Sequence, residues 1–248
     1  GCDIYIGVVG PVRTGKSTFI KRFMDTLVLP HIEDDGLRER ATDELPQSAA
    51  GRTIMTTEPK FVPDTAVPVT LEGNAHLRVR MIDCVGYIVD SAAGYSEEDG
   101  ERMVRTPWSE SEMPFREAAE TGTKKVITDH STIGVMVTTD GSICDIPRGD
   151  YVSAEERVAR ELAASGKPYI ILLNSTSPES ASVSALAADL SRRYGAPAIP
   201  VDCAMMDENT VKGILATLLF EFPIKEIHVD LPSWLRGLSQ DNWLRAAV

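Results

Sequence analysis

The sequence predicts an α/β fold: a mostly parallel sheet with one antiparallel edge strand and helices on both faces. Three observations carry this. Short apolar runs of strand length alternate with stretches of helical spacing as far as Phe220. Several of the runs, such as Asp3–Val9 and Pro168–Asn174, are apolar almost throughout, as strands covered on both faces must be. The first run leads straight into a glycine-rich turn and then a helix.

Asp3–Val9 (DIYIGVV) is rich in β-branched residues and reads as a buried strand. Gly10-Pro11-Val12-Arg13-Thr14-Gly15-Lys16-Ser17 follows and fits G-x-x-x-x-G-K-[ST] at every fixed position. A strand before and a helix after are the context that pattern requires, so a chance glycine-rich turn is the weaker explanation. Gly10 and Gly15 let the backbone wrap an anion with no Cβ in the way. The N–H groups and the helix N-terminus then offer partial positive charge to a phosphate chain. Lys16 supplies a point charge between the β- and γ-phosphates, and the Ser17 hydroxyl is a ligand for Mg²⁺. Arg13, Thr14 and Thr18 complete the expected nucleotide-binding set. This is the phosphate-binding loop of a P-loop nucleoside triphosphatase. Thr18–Leu29 has helical spacing, with Phe19, Ile20, Phe23 and Leu27 on one side, and Pro30 stops it.

His31–Ala50 is acidic and reads as a solvated loop or helix face. Ser48–Pro59 is small and hydroxyl-rich, where a phosphate-loop enzyme needs a mobile segment that carries a Thr to the metal and the γ-phosphate. Thr53, Thr56 and Thr57 are all candidates, and for any one of them a plain role leading into the next strand is about as good a reading. Lys60–Val69 and Leu77–Ile82 are two strands joined by a turn at Glu72–Ala75, which gives the antiparallel edge. The second ends in Asp83-Cys84-Val85-Gly86. Asp83, at the C-terminal end of a strand beside the phosphate loop, is placed to hold Mg²⁺ through a water. Gly86 would let a backbone N–H reach the γ-phosphate. Tyr87 follows, where glutamine-dependent GTPases place the side chain that orients water; a tyrosine cannot do that in the same way, so intrinsic hydrolysis is expected to be slow. Arg13 is a candidate charge donor to the transition state in cis, with an outward-pointing role weighted equally.

Ile88–His130 is a long insertion holding a helix over Phe115–His130. Ser131–Thr139 is a buried strand followed by a turn at Asp140-Gly141. Ser153-Ala154-Glu155-Glu156 reads as a capping box opening a helix that ends at Gly166. Pro168–Asn174 is a strand, Val183–Tyr194 a helix, Pro197–Val201 a strand and Glu208–Phe220 a final amphipathic helix. Residues 1–222 are thus expected to form one P-loop domain, and 223–248 read as the start of a second, incomplete domain or a linker.

At 248 residues, 43% hydrophobic and 25% charged, the composition is that of an ordinary globular chain. The formal net charge of −12 argues against nucleic acid as main partner, since phosphate backbones need concentrated Lys and Arg. The four cysteines (Cys2, Cys84, Cys144, Cys203) form no C-x-x-C pair, so neither a zinc site nor a disulfide framework is expected and a reducing, cytoplasmic setting is. No apolar stretch approaches the ~18 residues of a membrane span. The chain begins two residues before its first strand, which points to a start trimmed from something longer.

Guanine-specific enzymes of this class read the base with N/T-K-x-D after a buried strand. Here the strand ends in Asn174-Ser175-Thr176-Ser177: Asn174 is kept, while serines stand at the Lys and Asp positions. A neutral serine does not replace a bidentate carboxylate, which leaves ATP as the expected substrate.

The segments GPVRTGKSTFIKRFM, DELPQSAAGRTIMTTEPKFVP, MIDCVGY, PFREAAETGTKKVI, HSTIGVMVTTDG and LPSWL closely resemble the stage IV sporulation protein A family. This is a family of spore-coat morphogenetic ATPases similar in fold to translation-factor-type GTPases. The resemblance implies Lys16 for phosphate binding, Thr56 and Thr57 as γ-phosphate-sensing threonines, and Ser17, Thr57 and Asp83 around Mg²⁺. It also implies self-assembly into a homopolymer and contact with other spore coat morphogenetic proteins. The setting it implies is the mother-cell cytosol, peripheral to the forespore outer membrane, through parts of longer family members that this chain lacks. The expectation is an ATPase whose cycle drives assembly of the spore coat basement layer. A GTPase-like switch signalling to a protein partner is the alternative.

Overall fold

A computed structural model describes residues 2–32, 34–46, 59–71, 75–92, 96–97, 100–107, 109 and 111–222. Six strands form one sheet: β1 (Cys2–Val9), β2 (Lys60–Leu71), β3 (Ala75–Asp83), β4 (Ile133–Thr139), β5 (Tyr169–Asn174) and β6 (Ala198–Val201). Their order across the sheet is β6-β5-β4-β1-β3-β2. All neighbours run parallel except β2, which pairs antiparallel with β3 as the edge strand. The expected mostly parallel sheet with one antiparallel edge is therefore what the chain forms.

The sheet separates two apolar cores, and the strands feed both because successive side chains point to opposite faces. Val135 and Val137 of β4 join Ile4, Ile6 and Val8 of β1 on one face. Met136, between those valines, joins Val9 and Ile82 on the other. The first face is covered by α1 (Lys16–Phe23) and by α6 (Glu208–Phe220), which brings Val211, Ile214 and Leu218. Phe19, Ile20, Phe23 and Leu27 are all buried there, as their spacing predicts. At roughly 1.5–3 kcal/mol for each large apolar side chain buried, this stripe is ample to hold α1 on the sheet. The second face is covered by α3 (Phe115–Lys125) and α4 (Arg148–Ser165), with Phe115, Ala119, Tyr151 and Val158 inward.

Two local outcomes differ from the sequence reading, and one resolves an open choice. The first helix does not run regularly to Leu29: after Phe23 it widens into a π-turn over Met24–Val28 and closes in a single 3₁₀ turn, Leu29–His31, that contains Pro30. Proline has no N–H to give a continuing helix, so the chain finishes on other carbonyls. Of the solvated loop or helix face expected for the acidic stretch, the described part is the helix: α2 (Asp35–Asp43), capped by the Asp34 carboxylate accepting from the Leu37 N–H at 2.8 Å and exposed along most of its length. Ser153 does not open α4. That helix starts at Arg148 after Pro147, five residues earlier, and Glu155 turns inward to pair with Arg148. Its end at Gly166 (φ 66°) is as expected. The helix α5 (Ala181–Tyr194) is capped by Ser180 and ends at Gly195. The turn expected at 72–75 and the tail 223–248 fall wholly or mostly outside the described residues.

Candidate functional site

Parallel sheets bind ligands at the carboxyl ends of their strands, and the predicted residues gather there. Beyond Val9 the chain turns over Gly10 (φ 140°), crests at Arg13 (φ 59°) and enters α1 through Gly15 (φ 96°). A Cβ on Gly10 would stand 2.2 Å from the Val137 carbonyl oxygen, and one on Gly15 would stand 2.3 Å from Asn174 Nδ2. Neither position has room for a side chain, which explains both fixed glycines of the motif.

Inside the loop, the fully buried Thr14 donates its hydroxyl to the Pro11 carbonyl at 2.9 Å. Lys16 Nζ donates to the same carbonyl at 2.7 Å, in a site where the lysine is only 5% exposed. Burial pulls its ammonium below the ordinary range, against Cys84 and Asp83, which raise it. A cation held in such surroundings gains from any anion brought beside it. Thr18 follows in the first turn of α1, partly exposed. Arg13 is exposed at the crest, close enough to Tyr151 for its charge to weigh on that buried phenol.

The Ser17 hydroxyl joins the loop to the end of β3, donating to Asp83 Oδ2 at 2.8 Å. Asp83 Oδ1 is buried with no hydrogen-bond partner among the described residues. Burial pushes the Asp83 carboxyl above its ordinary range, opposed by the Ser17 hydroxyl and the Lys16 ammonium. A hydroxyl oxygen beside a carboxylate with an unengaged oxygen is the kind of donor set a hard dication takes. No group of three or more His, Cys, Asp or Glu side chains that could hold a metal occurs among the described residues. A hydroxyl–carboxylate pair of this kind suits an ion such as Mg²⁺, which keeps water and phosphate oxygens and needs only one or two protein ligands.

Gly86 (φ 92°) closes the D-x-x-G turn directly against the loop: a Cβ there would lie 2.3 Å from the Gly10 carbonyl oxygen and 2.6 Å from Lys16 Nζ. Tyr87 then pairs with the loop through its backbone, its N–H donating to Gly10 O at 3.1 Å and its carbonyl accepting from the Val12 N–H at 2.9 Å. The Tyr87 side chain points into the core at 1% exposure.

Asn174 is engaged at both ends of its amide. Nδ2 donates to the Thr14 carbonyl at 3.0 Å, and Oδ1 accepts from the Cys203 N–H at 3.0 Å, so it fastens the phosphate loop to the end of β6. Ser175 is buried and donates to Asp140 Oδ2 at 2.7 Å, while Ser142 holds Asp140 Oδ1 at 2.6 Å. Burial works against ionisation of Asp140, but these hydrogen bonds prevail and keep its carboxyl below the ordinary range. Ser177 is exposed, with its N–H on the Ser175 hydroxyl. Thr53, Thr56 and Thr57 lie outside the described residues. The structure adds contributors that the sequence reading did not include: the Val137 carbonyl, the Cys203 N–H and the Tyr87 backbone. All three act through backbone groups, which carry no side-chain signature.

Residues 1–223 match the family described as "Stage IV sporulation protein A, ATPase domain". Stage IV sporulation protein A of Bacillus anthracis and that of Bacillus subtilis (strain 168) are each 54% identical to the chain over 245 residues, covering 99% of it and 50% of their own length. The chain thus spans about half the length of these curated relatives. Among solved structures, Aquifex aeolicus Era bound to GDP·AlF4− superposes with a TM-score of 0.50 at 14% identity, covering 96% of this chain and 64% of that one. This last likeness is one of fold.

Proposed function

The chain belongs to the stage IV sporulation protein A family through its ATPase domain, and on that premise we propose that it is a magnesium-dependent ATP hydrolase. The observation that carries the proposal is the Ser17–Asp83 hydrogen bond at 2.8 Å beside the buried Lys16, which brings the phosphate loop and the D-x-x-G strand end together as one site.

Lys16 and the N–H groups of the loop hold the polyphosphate and meet the charge that develops as the terminal phosphoryl leaves. Ser17 and Asp83 would hold Mg²⁺, which when bound neutralises phosphate charge. Gly86, packed beside Lys16, presents backbone with no side chain in the way. Adenine over guanine is supported at the other end of the site. The position of the guanine-reading carboxylate is Ser177, and Asp140, the acidic residue bonded to Ser175, has both oxygens occupied by hydroxyls. Arg13, exposed at the crest, would serve either a transition-state contact in cis or a contact with a second subunit.

In the setting of the family, hydrolysis is proposed to release the Thr56–Thr57 segment and so change the domain's shape, promoting self-assembly of the spore coat basement layer. Its partners would be further copies of the same protein, other spore coat morphogenetic proteins and the forespore membrane surface, in the mother-cell cytosol. Equilibrium binding and phosphate release test the site directly. Lys16→Ala is expected to lose ATP binding, whereas Asp83→Ala keeps nucleotide but loses turnover by about 100-fold or more. An Asp83→Ala chain with undiminished turnover would remove the proposed metal role.

A further inference from the structure

We infer that Arg157 is a positioning residue for hydrolysis, acting through Tyr87 to hold the D-x-x-G turn against the phosphate loop. The inference rests on the ATPase reading above. Gly86 lies beside Lys16, but glycine imposes little direction of its own, so its orientation depends on its neighbours. On the C-terminal side that neighbour is Tyr87, tied by two backbone hydrogen bonds to Gly10 and Val12. In this inference the buried Tyr87 side chain, 1% exposed, is what keeps that backbone in register with the loop.

Three side chains, from α3 and α4, surround it. The Arg157 guanidinium of α4 lies over the Tyr87 ring, 5.1 Å from ring centroid to Cζ, a cation–aromatic contact. The same guanidinium pairs through Nη1 with Glu120 of α3 and reaches the Ile88 carbonyl through Nη2 at 3.4 Å. Glu161, one helical turn beyond Arg157 on α4, lies beside the Tyr87 phenol. Burial first, and then the Glu161 carboxylate, push that phenol upward, so it stays neutral under the cation. Plain core filling would require only the ring. A planar cation joined to one carboxylate and one backbone carbonyl adds direction, as a forked donor does where geometry matters. Arg157 and Glu120 are each about two-thirds covered, with relative exposures of 33% and 30%, so the brace reaches the surface between α3 and α4.

The test separates holding the turn from merely supporting the fold. ADP lacks the terminal phosphate that Gly86 would face, so loosening Tyr87 should leave ADP affinity alone while slowing turnover. Arg157→Ala is expected to lower kcat about tenfold with ADP affinity within about twofold of wild type, and Arg157→Lys to recover part of the loss. Glu120→Gln, which frees the guanidinium without emptying the space over the ring, should move kcat the same way by a smaller factor and serves if Arg157→Ala does not fold. Unchanged kcat in a variant that binds ADP normally would overturn the inference. So would parallel loss of ADP and ATP affinity, the mark of a purely structural role. A wild-type chain without turnover would instead strike at the ATPase reading itself.

Discussion

Cys84 and Cys203 stand on either side of the phosphate end of the sheet, and both are buried. Cys84 follows Asp83, with its thiol on the Val8 carbonyl at 3.4 Å; Cys203 supplies the N–H that holds Asn174. Burial pushes the two thiols up to about 11 and about 12. Only the thiolate attacks an alkylating agent, so at pH 8 about a thousandth or less of each is reactive. Cys144, partly exposed near the loop crest, has no such shield from solvent. Iodoacetamide applied to the native chain at pH 8 should therefore label Cys144 and spare Cys84 and Cys203, with labelling of the buried pair rising as the pH climbs toward 11. Peptide mass mapping reads the outcome, and prompt labelling of Cys84 at pH 8 would mean that the turn beside Lys16 opens readily. The same burial holds Lys16 and Asp83 away from their ordinary ranges in opposite directions, each toward its neutral form. A polyanion beside Lys16 and, on the proposed reading, a dication beside Asp83 would each favour the charged form.

Helices show where sequence signals succeed and where packing prevails. Gly166 and Gly195 end α4 and α5 in the left-handed conformation their sequence position predicts, and Asp207 and Ser180 cap α6 and α5 with their side chains. Ser153 and Glu156 have capping-box spacing, yet α4 begins at Arg148, directly after Pro147, which stands in the extended conformation as the N-cap. What the spacing concealed is an ion pair. Glu155 is fully buried, and both its oxygens accept from Arg148, at 2.7 and 2.8 Å, while Thr138 of β4 donates its hydroxyl as well. No periodicity marks a buried carboxylate, since its partners come from a different strand and from a residue seven positions away. Removing one partner strands the other charge, so Arg148→Met should lower unfolding free energy by about 3–5 kcal/mol in urea titration. The double variant Arg148→Met with Glu155→Leu should recover much of that loss. Equal stability of the single variant and wild type would show that the pair contributes only geometry.

At the scale of the molecule, the order β6-β5-β4-β1-β3-β2 brings the phosphate loop, the D-x-x-G turn and Asn174 to one end of the sheet from positions up to 164 residues apart in sequence. The loop itself was legible because its glycines, lysine and serine are side-chain requirements at fixed spacing. Its anchoring to Val137, Cys203 and Tyr87 was not, because those contacts arise only when the strands assemble. The base end follows the same division: the serines at 175 and 177 are visible in the sequence, while the capture of Asp140 by Ser142 and Ser175 is a product of the fold. On the proposed reading, this end of the sheet takes ATP with magnesium and cleaves it. Phosphate release by the wild-type chain, measured with ATP and with GTP in parallel, with and without magnesium, tests it most directly. Magnesium-dependent release from ATP, with GTP poorer by about tenfold or more, is the result expected. Preference for GTP, or no response to adenine nucleotide with magnesium present, would contradict it.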